Sequence, residues 1–388
     1  MGPLTGVKII ELGGIGPGPM AAMMLGDMGA DVVRVDRIGG SRASYAADPK
    51  FAVNSRSRRS IAVDLRQKTG VQLVLRLIKC ADGLIEPFRP GVAERLGLGP
   101  EVCLSRNPAL VYGRITGWGQ TGPLAKAAGH DVNYVALTGA LHAIGQAGQK
   151  PTIPLNLIGD YGGGGMLLAF GMLCGLFEAQ KSGKGQVIDA AMVDGATILF
   201  SAISGMYASG SWRDEPASNV LDGAAHFYNV YETKDGKYIS IGSIEPQFYA
   251  LLLTKLGLAE ETLPQQMDRA GWMALTDRFA VIFKTKTRDQ WCEIMEGTDV
   301  CFAPVLSIAE APEHRHAKAR NAYVDVGGVR QPAPAPRFSR TPATARPAPC
   351  EPGADGDAVL ADYGFTVEER LDLEAAGVIA SHHIGVVP

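Results

Sequence analysis

The chain has 388 residues, with 37 Lys and Arg against 40 Asp and Glu and a formal charge of −3, the two signs interspersed. That balance gives no basic footprint for nucleic acid or for an anionic membrane surface. A hydrophobic share of 46% allows a large core, and the length predicts two domains or one discontinuous domain.

The first apolar run, "VKIIEL", is short and nearly continuous, as buried parallel strands are. It leads through "GGIGPGP" into "MAAMMLGDMGA", whose spacing predicts a helix stopped at Gly29, and "DVVRVD" predicts the next strand. A helix over "TGVQLVLRLIKCA", a strand at "DGLIEPF", helical pieces over "GVAERLGLGPEVCLSRN" and a strand at "ALVYGRITGWG" follow. This alternation predicts an α/β fold: an open parallel, Rossmann-like sheet with helices on both faces. "MLLAFGMLCGLFEAQKSGKG" predicts a helix closed by Gly183, and its apolar part, "MLLAFGMLCGLF", is too short to span a membrane. "GQVIDAAMVDGATILF" reads as strand then helix.

After about Trp212 the texture changes. "HFYNVYETKDGKYISIGSIE" predicts a β-hairpin turning at Asp235-Gly236, and helical segments continue to about Arg320. The expected division is a large domain, 1–212, completed by 331–388, and a smaller α+β domain, 213–330. The proline-rich "QPAPAPRFSRTPATARPAPCEPG" predicts an extended or wrapping arm, and "DAVLADYGFTVEERLDLEAAGVI" one or two short helices. Six scattered cysteines without a C-x-x-C pair point to a reduced protein without structural zinc. The N-terminus runs into a strand with no basic segment and apolar signal core, so the expected location is the cytoplasm.

Four features carry possible chemistry. In "NSRSRRSIAVDLRQK", Arg56, Arg58, Arg59 and Arg66 crowd together, as a solvated loop or as a phosphate-binding edge. Gly16 to Ala21 match G-x-G-x-x-A, with Asp36 at the end of the next strand where a ribose acceptor belongs. The phosphate turn of that motif works through backbone N–H groups, which Pro17 and Pro19 lack, so a nucleotide-containing ligand fits better than hydride chemistry. In "LIGDYGGGGMLLAF", Asp160 precedes Gly162–Gly165 and a helix from about Met166; the glycines would let a ligand approach the backbone, and the helix start would offer N–H groups to an anion. Helix capping by Asp160 is the bland alternative. In "AAGHDVNYVALTG", His130 is either a loop histidine beside an Asp131 cap or a catalytic group. His142, His314, His316, His382 and His383 carry less. Met20, Met23, Met24, Met28, Met166, Met172, Met192 and Met206 suit core filling, or an adaptable apolar channel.

"GVKIIELGGIGPGPMAAMMLGDMGADVVRVDR", "EPFRPGVAERLGLGP", "GRITGWGQTGP", "GHDVNY", "GKGQVIDAAMVDG" and "PAPRFSRTP" occur in order over almost the whole chain. Together they resemble the family III CoA-transferases and, within them, the branch that racemises 2-methylacyl-CoA thioesters. The resemblance implies two readings of Asp160. In the transferases one aspartate at this position forms an aspartyl-acyl anhydride while CoA moves between carboxylic acids. The racemases add a histidine in G-H-D-x-N-Y, here His130. The resemblance therefore implies removal and return of the α-proton by His130 and Asp160, with Glu245 in "SIEPQF" orienting the histidine. An enolate oxygen would be met by the helix start after Gly162–Gly165. Neither metal nor redox cofactor is expected, since CoA enters as part of the substrate. The resemblance also implies the acyl-CoA contacts: Arg37 at the adenine end, Val63, Asp64, Leu65 and Arg66 along the nucleotide, and Pro87, Phe88, Arg89, Pro90, Gly91 and Arg95 at the phosphate and pantetheine. Gly129, Asp131, Val132, Asn133 and Tyr134 would reach the thioester. An interlocked homodimer is the implied assembly. The competing functions are CoA transfer and non-catalytic acyl-CoA binding.

Overall fold

A computed structural model describes residues 2–39 and 48–380. His382 and His383 lie outside the described residues.

The chain divides into two compact units. The first takes in Met1–Thr138, Leu155–Leu199 and Asn321–Pro388. Its centre is a six-stranded sheet of β1 (Lys8–Leu12), β2 (Asp31–Asp36), β3 (Arg59–Ala62), β4 (Gly83–Glu86), β5 (Val111–Thr116) and β6 (Gln186–Ala191), in the order β3-β2-β1-β4-β5-β6. Every pairing in it is parallel. Successive side chains of a strand point to opposite faces, and here both faces are covered. Ile10, Leu12, Val33, Val35 and Leu84 pack with Leu73, Val74, Leu77 and Ile78 of α2 (Lys68–Lys79). Ile9, Val32, Ile85 and Val111 pack with Ala21, Ala22 and Leu25 of α1 (Pro17–Asp27) and with Leu168, Met172 and Leu176 of a helix beyond β5.

One strand of this six-stranded sheet is absent from the sequence reading. β3 is four residues long and lies inside the arginine cluster, which hides its pattern. Arg56 and Arg58 of the cluster correct both alternatives offered for it. Arg56 is buried and paired with Asp27 (Nη2–Oδ2, 2.7 Å), and Arg58 is buried and paired with Glu11 (Nη1–Oε2, 2.6 Å). Arg59 bridges Asp31 and Asp362. The Arg56 and Arg58 pairs lie inside the fold, available neither to solvent nor to a phosphate, while Arg59 is partly exposed and Arg66 is exposed. The proline-rich arm runs extended along this unit, with the Thr344 N–H donating to the Asp27 carbonyl and the Ser57 N–H to Pro347. Helices Gly356–Asp362 and Val367–Ala375 close it, as the tail predicts.

The glycine run gives a second correction. Leu157–Met166 is a π-helical segment that passes without a break into the helix Leu167–Ser182. The Gly162–Gly165 N–H groups therefore lie within a helix and do not form its open start. Their small size serves packing. A Cβ on Gly163 would stand 2.5 Å from the Ala196 nitrogen, and one on Gly164 2.8 Å from Pro17 Cβ. The continuous helix, Leu157–Ser182, has 26 residues and is long and apolar enough to cross a membrane by length and composition alone, contrary to the expectation for "MLLAFGMLCGLF". Leu168, Ala169, Met172 and Leu176 bury one side of it on the sheet, while Met166, Phe170 and Phe177 face outward.

The second unit comprises Gly139–Pro154 and Phe200–Arg320, where the sequence reading set its limits at 213 and 330. β7 (Tyr228–Glu232) and β8 (Tyr238–Gly242) form the expected hairpin, and β9 (Phe302–Pro304) adds a third antiparallel strand. Its core is aromatic, with Phe227, Trp272, Phe279, Phe283 and Trp291 buried. His226, which the sequence reading passes over, is also fully buried there, and its Nε2 meets the Tyr249 hydroxyl at 2.8 Å.

Candidate active site

The sheet order changes direction between β1 and β4, and ligands of open parallel sheets bind beyond the strands' carboxyl ends at such a point. A cavity of about 240 Å³ lies there. Its walls are Ile15–Pro17 after β1, Pro87–Pro90 after β4, the Ile115–Trp118 end of β5, and Gly129, His130, Tyr134, Asp160 and Met192. His130 and Asp160, which the sequence holds 30 positions apart, thus share one cavity.

Local structure explains how each is presented. His130 is the residue before α3 (Asp131–Ala136), with extended backbone (φ −132°, ψ 174°), and its N–H donates to Asn133 Oδ1 at 3.0 Å. The side chain is exposed. Tyr134, one turn on, anchors the loop from below: its hydroxyl donates to the Gly129 carbonyl and its ring meets Trp118 edge-on at 4.7 Å. Asp160 sits within the π-helical segment, half-buried. Its N–H donates to Asp131 Oδ1 at 2.6 Å, and its own Oδ2 accepts a long bond of 3.4 Å from the Asn156 amide. Burial raises the Asp160 carboxyl above the ordinary aspartate range; the Asn156 bond and His130 oppose that shift, and Asp131 adds to it.

The other expected contacts fall into groups. Pro87, Phe88, Arg89 and Pro90 line the same cavity, on a loop held by Glu86, which accepts the Phe88 N–H at 2.6 Å and the Arg114 Nε at 2.9 Å. Gly91 adopts φ 84°, and Arg95 on the next turn is exposed. Arg37 is exposed just past the end of β2. Asp36 is buried, and its Oδ2 accepts from Arg34 Nε at 2.7 Å and from the Ser60 hydroxyl at 2.6 Å. Asp64 and Arg66 pair at 2.9 Å, which holds the Asp64 carboxyl well below the usual range. Val63 is fully buried in the core, leaving only its backbone to a ligand, and Leu65 packs partly against that core. Asp131 and Tyr134 are buried, Val132 is half-buried and Asn133 is exposed. Glu245 belongs to the second unit, where it precedes the helix Pro246–Leu256 and is exposed.

The model of CoA-transferase family III matches residues 4–356. The chain belongs to that family. It is 45% identical over 381 residues to alpha-methylacyl-CoA racemase of Mus musculus, covering 97% of this chain and 98% of the mouse protein. It is 42% identical over 390 residues to the racemase of the same name from Homo sapiens, covering 98% of each. In three dimensions it is similar to a CAIB/BAIF family protein from Brucella suis, at a TM-score of 0.81 and 28% identity, over 93% of this chain and 99% of that one. The six-stranded parallel sheet is thus the family's α/β architecture.

Proposed function

We propose that the chain is an isomerase that interconverts (R)- and (S)-2-methylacyl-CoA thioesters. The observation that carries this reading is the shared cavity of His130 and Asp160, taken with the racemase relatives. One group removes the proton α to the thioester carbonyl, leaving a planar enolate, and the other returns a proton to the opposite face. In one direction neutral His130 is the base and the Asp160 carboxyl the acid; in the other they exchange roles. A carboxyl raised by burial suits both duties, since it holds a proton more readily than an ordinary aspartate and accepts one more strongly. The oxyanion donors we assign are the first N–H groups of α3, at Asp131 and Val132, in place of the glycine run. The first N–H groups of a helix have no acceptor inside it, and these adjoin His130.

The step moves one proton and no electrons, so it calls for neither nicotinamide nor metal; loss of turnover on dialysis against chelator, restored by a divalent cation, would contradict that. The loops after β2, β3 and β4 (Arg37, Asp64–Arg66, Arg89 and Arg95) are the proposed seat of the nucleotide and pantetheine. A second copy of the chain is proposed to cover Met166, Phe170 and Phe177, whose exposed apolar surface suits a partner better than water. Sedimentation at the mass of a single chain would set that aside.

The test of the reaction is incubation of each 2-methylacyl-CoA epimer in heavy water with no acceptor acid. Isomerisation predicts α-deuterium in both epimers and an approach to a mixture. Transfer of CoA to added carboxylates without such exchange would make the chain a CoA-transferase working through Asp160.

A further inference from the structure

Asp131 does something that a wall residue need not do. Its side chain is turned into the protein, 7% exposed, and reaches across 29 positions of sequence to accept the Asp160 N–H at 2.6 Å. The contact depends on residue 159 being glycine, because a Cβ there would stand 2.5 Å from Asp131 Oδ1. The second carboxylate oxygen, Oδ2, is buried with no hydrogen-bond partner among the described residues. A buried carboxylate with one unpaired oxygen is costly, so its retention beside a second carboxylate calls for a reason.

The rest of Asp160's surroundings point the same way. The Gly16 Cβ position lies 3.5 Å from Asp160 Oδ2, at the start of α1, where a helix ordinarily offers N–H groups to an anion. Pro17 and Pro19 remove two of those donors. Among the described residues, the hydrogen bond that the carboxylate accepts is the long one from Asn156.

We propose that Asp131 is a positioning residue for Asp160: through the Asp160 N–H it fixes the π-helical turn that presents the carboxylate, and through its charge it makes Asp160 a stronger base than an isolated aspartate. The proposal rests on the reading of Asp160 as an acid and base. Burial is the first cause of the raised Asp160 carboxyl, and Asp131 acts in the same direction, against Asn156 and His130. The charged and titratable groups around Asp160 are Asp131 and His130 at the start of α3, with Arg89 and Tyr134 on the same cavity wall. The first turn of α1 contributes none, and the helix Met192–Leu199 contributes Asp194, which is exposed.

The test compares wild type with Asp131→Asn, whose amide oxygen can still accept the Asp160 N–H but carries no charge. A carbon-13 carboxyl titration, with the Asp160 signal assigned through Asp160→Asn, should show the Asp160 midpoint falling by about one pH unit in Asp131→Asn. A midpoint that stays in place or rises overturns the proposal. In α-deuterium exchange, the epimer that depends on Asp160 is the one lost in Asp160→Ala. Its acid limb should move by about one unit to lower pH in Asp131→Asn, while the profile of the His130-dependent epimer stays in place. Asp131→Ala, which also lacks the acceptor, should lose about tenfold more on the Asp160-dependent face than Asp131→Asn does. Equal losses for both epimers with an unmoved limb would reduce Asp131 to a fold residue and overturn the proposal. Wild type that exchanges neither epimer removes the racemase reading, while the carboxyl titration still decides whether Asp131 governs Asp160.

Discussion

His130 stands exposed on the wall of the first unit's cavity, whereas His226 has no solvent exposure and sits among the aromatic rings of the second unit. His226 meets one polar group, the Tyr249 hydroxyl, and is ringed edge-on by Phe227, Tyr249 and Phe279. Burial lowers its pKa to about 4, which fixes it neutral near neutral pH. A histidine so held cannot trade protons with a substrate; one at the open end of a helix can. The arginines divide in the same way. Arg56 and Arg58 are matched inside the fold by Asp27 and Glu11, whereas Arg89 faces the cavity. Function in this molecule is proposed for the polar groups that folding has left unspent.

The largest effects should come from exchanging the two histidines' fates. His130→Ala is expected to cut racemisation by about 10²–10⁴-fold. Its thermal midpoint should barely move, because surface replacements usually fall within about 0.5 kcal/mol. His226→Ala should do the reverse, costing about 3 kcal/mol of stability through the cavity it leaves while preserving turnover per folded molecule. Paired melting curves and rates on the two variants decide this, and a stable, inactive His226→Ala would contradict it.

How much of this was readable beforehand follows from the same physics. The alternating strands and helices were legible because fully buried strands are continuous apolar runs, as in "VKIIEL" and "DVVRVD". β3 was not, since two of the five residues from Arg58 to Ala62 are arginines whose acid partners, Glu11 and Asp31, lie far off in sequence. His130 and Asp160 were legible through motifs, and the structure adds that they share a cavity. The role of Gly162–Gly165 was misread because a glycine run looks alike whether it faces a ligand or a neighbouring helix; the Ala196 and Pro17 contacts exist only in three dimensions. Asp131 Oδ1 reaching the Asp160 N–H leaves no local signal at all.

The buried histidine also sets a pH dependence. Its folded pKa of about 4 lies below the ordinary 6.5, so the unfolded chain binds the proton first as pH falls. This contribution to stability is complete above about pH 6.5 and is lost progressively towards pH 4, amounting to about 3 kcal/mol. His226→Gln should remove that part of the slope. Chemical denaturation across this range would contradict the account if wild type and His226→Gln lost stability in parallel.

Smaller effects separate packed from open glycines. Gly164→Ala would press on Pro17 and Met192, 2.8 and 2.9 Å away, and should cost about 1–3 kcal/mol. Gly205→Ala, in the helix Ser201–Ala208 with nothing within 4 Å, should be neutral or stabilise by up to about 1 kcal/mol. Denaturant midpoints read both, and equal shifts for the two would show that the helix contacts do not constrain Gly164.

The central claim is that His130 and Asp160 act as two bases on one substrate. Its most direct test is α-deuterium exchange of each 2-methylacyl-CoA epimer, in heavy water and without acceptor acid, by His130→Ala and Asp160→Ala. Both variants should lose racemisation, yet each should keep residual exchange on the epimer served by its surviving base, so that their epimer preferences are opposite. An inactive Asp160→Ala beside a nearly normal His130→Ala would contradict the account and leave His130 as a loop residue at the head of a helix.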